Sequence, residues 1–134
     1  MVCIYCGGRT AVVNSRLQKN LNQIWRRRRC SFCDAVFSTH EAPQLAGSLM
    51  LRVTGNALQA FSRDKLFLSI YESCKHRRNA IDDASAITLT VVGRLSGFSA
   101  TGEILRSELI SIVLGVLNNF DPTASSVYAG LYPL

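Results

Sequence analysis

The feature that most restricts this chain is a pair of pairs: Cys3-x-x-Cys6 near its start and Cys30-x-x-Cys33, with 23 residues between Cys6 and Cys30. Each Cys-x-x-Cys turn aims two sulfurs at one place. Two such turns facing each other supply four soft ligands in a tetrahedron, the shell of a structural zinc ion, one per chain. The spacing suits a strand out and a strand back, and turn-forming residues follow each pair, Gly7-Gly8 and Asp34-Ala35. A redox Cys-x-x-Cys normally opens a helix within a β–α–β unit, which the flanking sequence does not offer. Four cysteines leave no open position for a catalytic metal. His40 is a ligand in principle, but the tetrad is complete without it, and a surface histidine on a strand is the expectation. Cys74 falls on the apolar stripe of a helix and reads as a small core residue.

Residues 1–41 hold too few apolar side chains to bury a core, so a metal staple is what they need. They read as short antiparallel strands at about 10–17, 23–29 and 35–40. Pro43 and Gly47 mark a linker over 43–48. Beyond it, 49–53 and 57–61 flank Thr54-Gly55-Asn56 as a β-hairpin. Ser62 caps a helix over about 63–77, with Leu66, Phe67, Ile70, Tyr71 and Cys74 at helical spacing. A second helix is expected from after Asp82 to about Leu95, although residues 87–92 have strand-like composition. Ser107 is read as the cap of an apolar helix reaching Phe120. Asp121-Pro122 opens a last short helix ending near Gly130. The fold class is therefore α+β: a ribbon over 1–42, the linker 43–48, and a mainly helical domain over 49–134 with an N-terminal β-hairpin.

Charge separates the same two parts. Residues 1–41 carry seven basic side chains against Asp34 and Glu41, a net of +5, whereas residues 42–134 carry eight basic and seven acidic ones, a net of +1. Arg26-Arg27-Arg28-Arg29 run directly into Cys30, and Arg16 lies on the preceding strand. Adjacent guanidiniums repel one another and are costly to bury, so a densely anionic partner, a nucleic acid with double-stranded DNA as the expectation, is the natural counterpart. A solvated charge run that offsets a zinc tetrathiolate is the competing explanation. Period-two geometry sends Arg26 and Arg28 to one face and Trp25, Arg27 and Arg29 to the other. Arg16 and Trp25 are candidates for contacts more specific than phosphate, though Trp25 equally suits a packing role.

With these residues in view, the chain resembles the NrdR family, bacterial repressors of ribonucleotide reductase genes. The resemblance rests on Cys3-x-x-Cys6, Asn14-Ser15-Arg16-Leu17, the arginine run into Cys30-x-x-Cys33, and Phe37-Ser38-Thr39-His40-Glu41. It continues through Phe61-Ser62-Arg63-Asp64-Lys65-Leu66, His76-Arg77 and Ser126-Val127-Tyr128. It implies a zinc ribbon followed by an ATP-cone, a hairpin-plus-helices domain that binds ATP or dATP. The bound nucleotide then sets a homo-oligomeric state and so the grip on the operator. The nucleotide candidates are Arg52, Val53, Lys65 and Arg77. The hairpin departs from the family pattern: ATP-cones begin with a basic pair and carry Arg-Glu-Pro-Phe, whereas this chain has Arg52-Val53-Thr54 and Leu58-Gln59-Ala60-Phe61. Lys65 and Arg77 equally suit a solvated helix face.

The expected function is a DNA-binding transcriptional regulator with nucleotide-dependent oligomerisation. The alternative is a zinc-ribbon module for nucleic-acid or protein interaction whose degenerate cone serves only assembly. An enzyme is not expected: paired carboxylates, a Ser–His arrangement and a Gly-rich phosphate loop are all missing from the sequence. No apolar run approaches the ~20 residues of a membrane span, and no signal peptide is visible. The cytoplasm, in association with the nucleoid, is the expected location.

Overall fold

The computed structural model describes residues 1–97 and 100–134, and among the described residues it holds two three-stranded sheets and four α-helices. The fold is α+β, and the chain divides into two units, Met1–Pro43 and Gln44–Leu134. In the first unit, β1 (Thr10–Gln18), β2 (Gln23–Cys30) and β3 (Val36–Glu41) form an antiparallel meander in the order β1-β2-β3. A single 3₁₀ turn at Lys19–Leu21 joins the first two strands, and Asn22 (φ 47°) takes the left-handed conformation that asparagine tolerates. The buried residues of this unit, among those described, are Cys3, Gln23 and Cys30. No aliphatic or aromatic side chain is fully sequestered there, so the hydrophobic effect contributes little and the cysteines must hold the unit closed.

The second unit has a core of its own. β4 (Met50–Arg52) lies between β5 (Leu58–Ala60), its antiparallel hairpin partner, and β6 (Glu103–Leu105), which runs parallel to it. Four helices follow in the chain order α1 (Arg63–Cys74), α2 (Ala80–Leu95), α3 (Arg106–Phe120) and α4 (Pro122–Leu131). Ile70, Val91, Val113 and Leu117 are fully buried at the centre of one cluster that also takes in Leu49, Phe61 and Tyr128.

Several boundaries differ from the sequence expectation, each for a physical reason. Residues 45–47 form a 3₁₀ turn, and Leu45 packs against the core while the Leu49 N–H donates to its carbonyl (2.8 Å), so residues 44–48 belong to the second unit. α1 ends at Cys74 rather than near Arg77, and the chain turns to bring Arg77 beside Asp83 and Asp121. α2 starts at Ala80, because the Asp83 N–H already donates to the Asn79 carbonyl (2.9 Å), leaving Asp82 and Asp83 in the first turn, where the helix dipole favours them. Its strand-like stretch is helical. Burial outweighs propensity there, and the fully buried Thr88 satisfies its hydroxyl by donating to the Ala84 carbonyl (2.7 Å). Ser107 is not the cap of α3. The helix begins at Arg106, and the Glu108 carboxylate reaches back to accept from the Leu105 N–H (2.9 Å).

Candidate functional site

The two Cys-x-x-Cys turns bring four sulfurs together, all within 4.8 Å of one another. Cys3 Sγ lies 3.7 Å from Cys33 Sγ, and Cys6 Sγ lies 3.4 Å from Cys30 Sγ. Sulfurs at the corners of a tetrahedron around zinc stand about 3.8 Å apart, given Zn–S bonds of about 2.3 Å. The donor set is thus of the right kind, number and spacing for a closed structural site. Backbone amides support the charge that thiolates would carry: the Tyr5 and Gly8 N–H groups donate to Cys3 and Cys6 (each 3.4 Å), and the Phe32 N–H donates to Cys30 (3.3 Å). The Cys33 and Phe32 amides hold the Cys30 thiol down at about 6, whereas at Cys33 the Ala35 amide is outweighed by the Cys6 thiol and burial, which push it up to about 12. Gly7 (φ 73°) turns the first knuckle. A Cβ at Gly8 would stand 2.7 Å from the ring of the exposed Phe32, which would have to swing aside to admit it.

The sheet then sorts the arginines. In β1–β2–β3 register, Arg16, Trp25 and His40 form one row and Asn14, Arg27 and Ser38 the next on the same face, with Arg29 beyond them beside Ala11 and Val36. Arg16, Arg27 and Arg29 are exposed, and none makes an ion pair among the described residues. The Arg16 guanidinium stands 6.0 Å from the Trp25 ring centre, at the outer limit of a cation–π contact. The opposite face is occupied differently. Arg26 pairs with Glu41 (2.8 Å) and Arg28 Nε donates to the Thr39 hydroxyl (3.3 Å). Arg26 and Arg28 are half-buried. The arginine run is therefore two sets, one committed within the ribbon and one left for solvent or a partner.

In the helical unit, a cavity of about 140 Å³ lies between the hairpin and helices α1, α3 and α4. Lys65 lines it, as do Arg106, Ser69 and Tyr128, which the sequence did not single out as site residues. The Tyr128 hydroxyl lies 3.4 Å from that of Ser69, and its ring is tilted against Tyr132 with centres 4.7 Å apart. Burial is the main reason that the Tyr128 phenol is pushed above its ordinary range. Arg52, Val53 and Arg77 do not line this cavity. Arg52 is joined to Glu103 and Asn56, and the Val53 N–H donates to the Ala57 carbonyl (2.9 Å). Arg77 donates to Asp83 (2.7 Å) and Asp121 (3.0 Å) while its guanidinium lies 4.5 Å from the Phe120 ring centre. It ties the starts of α2 and α4 to the end of α1. Nothing in the local pattern signals Arg106, because what makes it a partner of Lys65 is the parallel strand immediately before it. No helix among the described residues is long and apolar enough to cross a membrane.

Comparison with known proteins places this arrangement. The family model described as "Transcriptional repressor NrdR-like, N-terminal domain" matches residues 1–41. Proteins named "Transcriptional repressor NrdR" are similar over nearly the whole chain. The one from Halorhodospira halophila is 33% identical over 133 residues, spanning 98% of this chain and 84% of its own length. The one from Rhodospirillum rubrum is 34% identical, spanning 98% and 86%. That from Sphingopyxis alaskensis is 32% identical, spanning 98% and 84%.

Proposed function

Because this chain belongs to the NrdR family, we propose that it is a transcriptional repressor, a non-enzymatic regulator whose zinc ribbon grips double-stranded DNA. Zinc at Cys3, Cys6, Cys30 and Cys33 holds the ribbon sheet rigid. Arg16, Arg27 and Arg29 then meet phosphates from one face, with the Trp25 edge and Asn14 beside them for base contact. The observation that carries this reading is the sorting of the arginines: those of one face have no carboxylate partner among the described residues, whereas Arg26 on the other is spent on Glu41. Guanidiniums without a carboxylate partner on one face of the ribbon sheet suit a polyanion, since releasing its counterions drives binding. The family resemblance points to ribonucleotide reductase genes as targets.

In the same reading the helical unit brings copies of the chain together, and an adenine nucleotide seated beside Lys65 sets that assembly. Exposed Leu68, Val127 and Leu131 support a self-association role for this unit. The test is fluorescence anisotropy of labelled duplex DNA with the zinc-loaded protein and its Arg16→Ala, Arg27→Ala and Arg29→Ala variants. Weakened, less salt-dependent binding by all three is expected. Binding by the wild-type protein that ignores salt would overturn the reading.

A further inference from the structure

One titratable side chain of the ribbon shares the arginine face without belonging to the cysteine site or the arginine set. His40, on β3, has Trp25 as its partner on β2, and Trp25 has Arg16 as its partner on β1, so the three side chains form a row. The adjoining row on the same face holds Asn14, Arg27 and Ser38. His40 is exposed, and it makes no hydrogen bond or ion pair among the described residues. What faces it from β2 is an indole and the Arg27 guanidinium, and from β1 the Arg16 guanidinium.

The two carboxylates of the ribbon lie elsewhere. Glu41 is on the opposite face, where it holds Arg26, and Asp34 is in the turn of the second cysteine knuckle. No anion of the ribbon therefore comes against His40 among the described residues, and one must be supplied by a partner. Histidine is the side chain that ordinarily changes charge between pH 5 and 8, and a phosphate brought beside one favours its protonated form. Proton uptake at His40 raises the net charge of residues 1–41 from +5 to +6.

Resting on the proposed DNA-binding function, we propose that His40 is a further phosphate-contacting residue of this face, one whose contact forms as its imidazole takes up a proton. Arg16, Arg27 and Arg29 stay charged at any pH the cell meets, so they supply a constant grip. His40 adds one contact on the acid side of neutrality. Linkage fixes the sign: bound phosphate favours the imidazolium, so a fall in pH favours the bound state.

Fluorescence anisotropy of the full, zinc-loaded chain tests this with a labelled random-sequence duplex, because a phosphate contact needs no particular base. His40→Gln is the internal reference, cancelling any effect of acid on the rest of the ribbon. Relative to that variant, the wild type should gain about fivefold in affinity between pH 8 and pH 6. Its slope of log K against log salt should steepen by about 0.9 over the same range. His40→Lys, charged throughout, should show the steeper slope at both pH values. His76→Gln removes the other histidine of the chain, which is bonded to Asp121 in the helical unit, and should retain the wild-type response. Equal pH responses of the wild type and His40→Gln, or a response abolished by His76→Gln, would overturn the proposal and leave the repressor reading intact. Failure of the wild type to bind duplex at either pH would overturn both.

Discussion

At the scale of single residues, what matters is which charges are already spent. Arg27 and Arg29 stand one and three steps from Arg26 along a strand, and that odd spacing decides whether the guanidinium faces Glu41 or solvent. Replacing Arg27 or Arg29 by Ala should lower the slope of log K against log salt by about 0.9 each, as expected for one lost phosphate contact. Arg26→Ala should leave that slope unchanged and act on the ribbon's stability instead. Salt titrations of the three variants check this. Asp121 is a second spent charge. The His76 ring nitrogen 3.0 Å away, opposed by partial burial and helped by Arg77 and two helix amides, holds its carboxyl at about 2. A carboxylate with a depressed pKa stabilises the fold above its unfolded value of about 4 and loses that contribution as pH falls toward 2. Asp121→Asn, which retains the capping oxygen, should melt earlier than the wild type at pH 7, and the two melting temperatures should converge below pH 3. A constant difference down to pH 2 would contradict the assignment.

At the scale of elements, β6 decides the shape of the second unit. Its approach passes through Gly102, at φ 73°, where an added Cβ would stand 3.1 Å from the Ser48 carbonyl oxygen, and the Gly102 carbonyl accepts from the Met50 N–H (2.8 Å). Gly102→Ala should destabilise the helical unit by about 1–2 kcal/mol, the usual penalty for a left-handed alanine, measured by urea unfolding. The strand was not legible in the sequence. Glu103-Ile104-Leu105 is three residues long with one buried side chain, and its partner β4 lies far upstream, so neither period nor turn chemistry marks it. The longer helices were legible because their apolar faces repeat over several turns, and the ribbon strands because cysteines and turns bracket them. Glu108, three residues after Leu105, marks the true start of α3, but Ser107 between them is the commoner capping residue and masks it. For the site, the cysteines were legible through spacing alone. Which arginines are free was only half legible: strand alternation gave the two faces, but the pairing of Arg26 with Glu41 depends on the register of β3. Arg106 and the fate of Arg52 depend on β6, and so were hidden with it.

At the scale of the whole molecule, two units are stabilised by different physics. Met1–Pro43 closes on four sulfurs, while Gln44–Leu134 closes on a buried apolar cluster. Removing metal with a chelator should therefore abolish duplex binding and dissolve the ribbon, while the helical circular dichroism and its melting transition persist. About one zinc per chain should be recovered from the untreated protein. Simultaneous loss of the helical signal would show that the units do not stand separately. The sheet of the second unit has a further consequence, because β4 acquires its third strand only when β6 has been made. On the ribosome the ribbon can thus be complete while the hairpin still has an open edge, since domains fold in order of emergence. The metal-holding part of each copy is settled first, before the strand that finishes the other part exists.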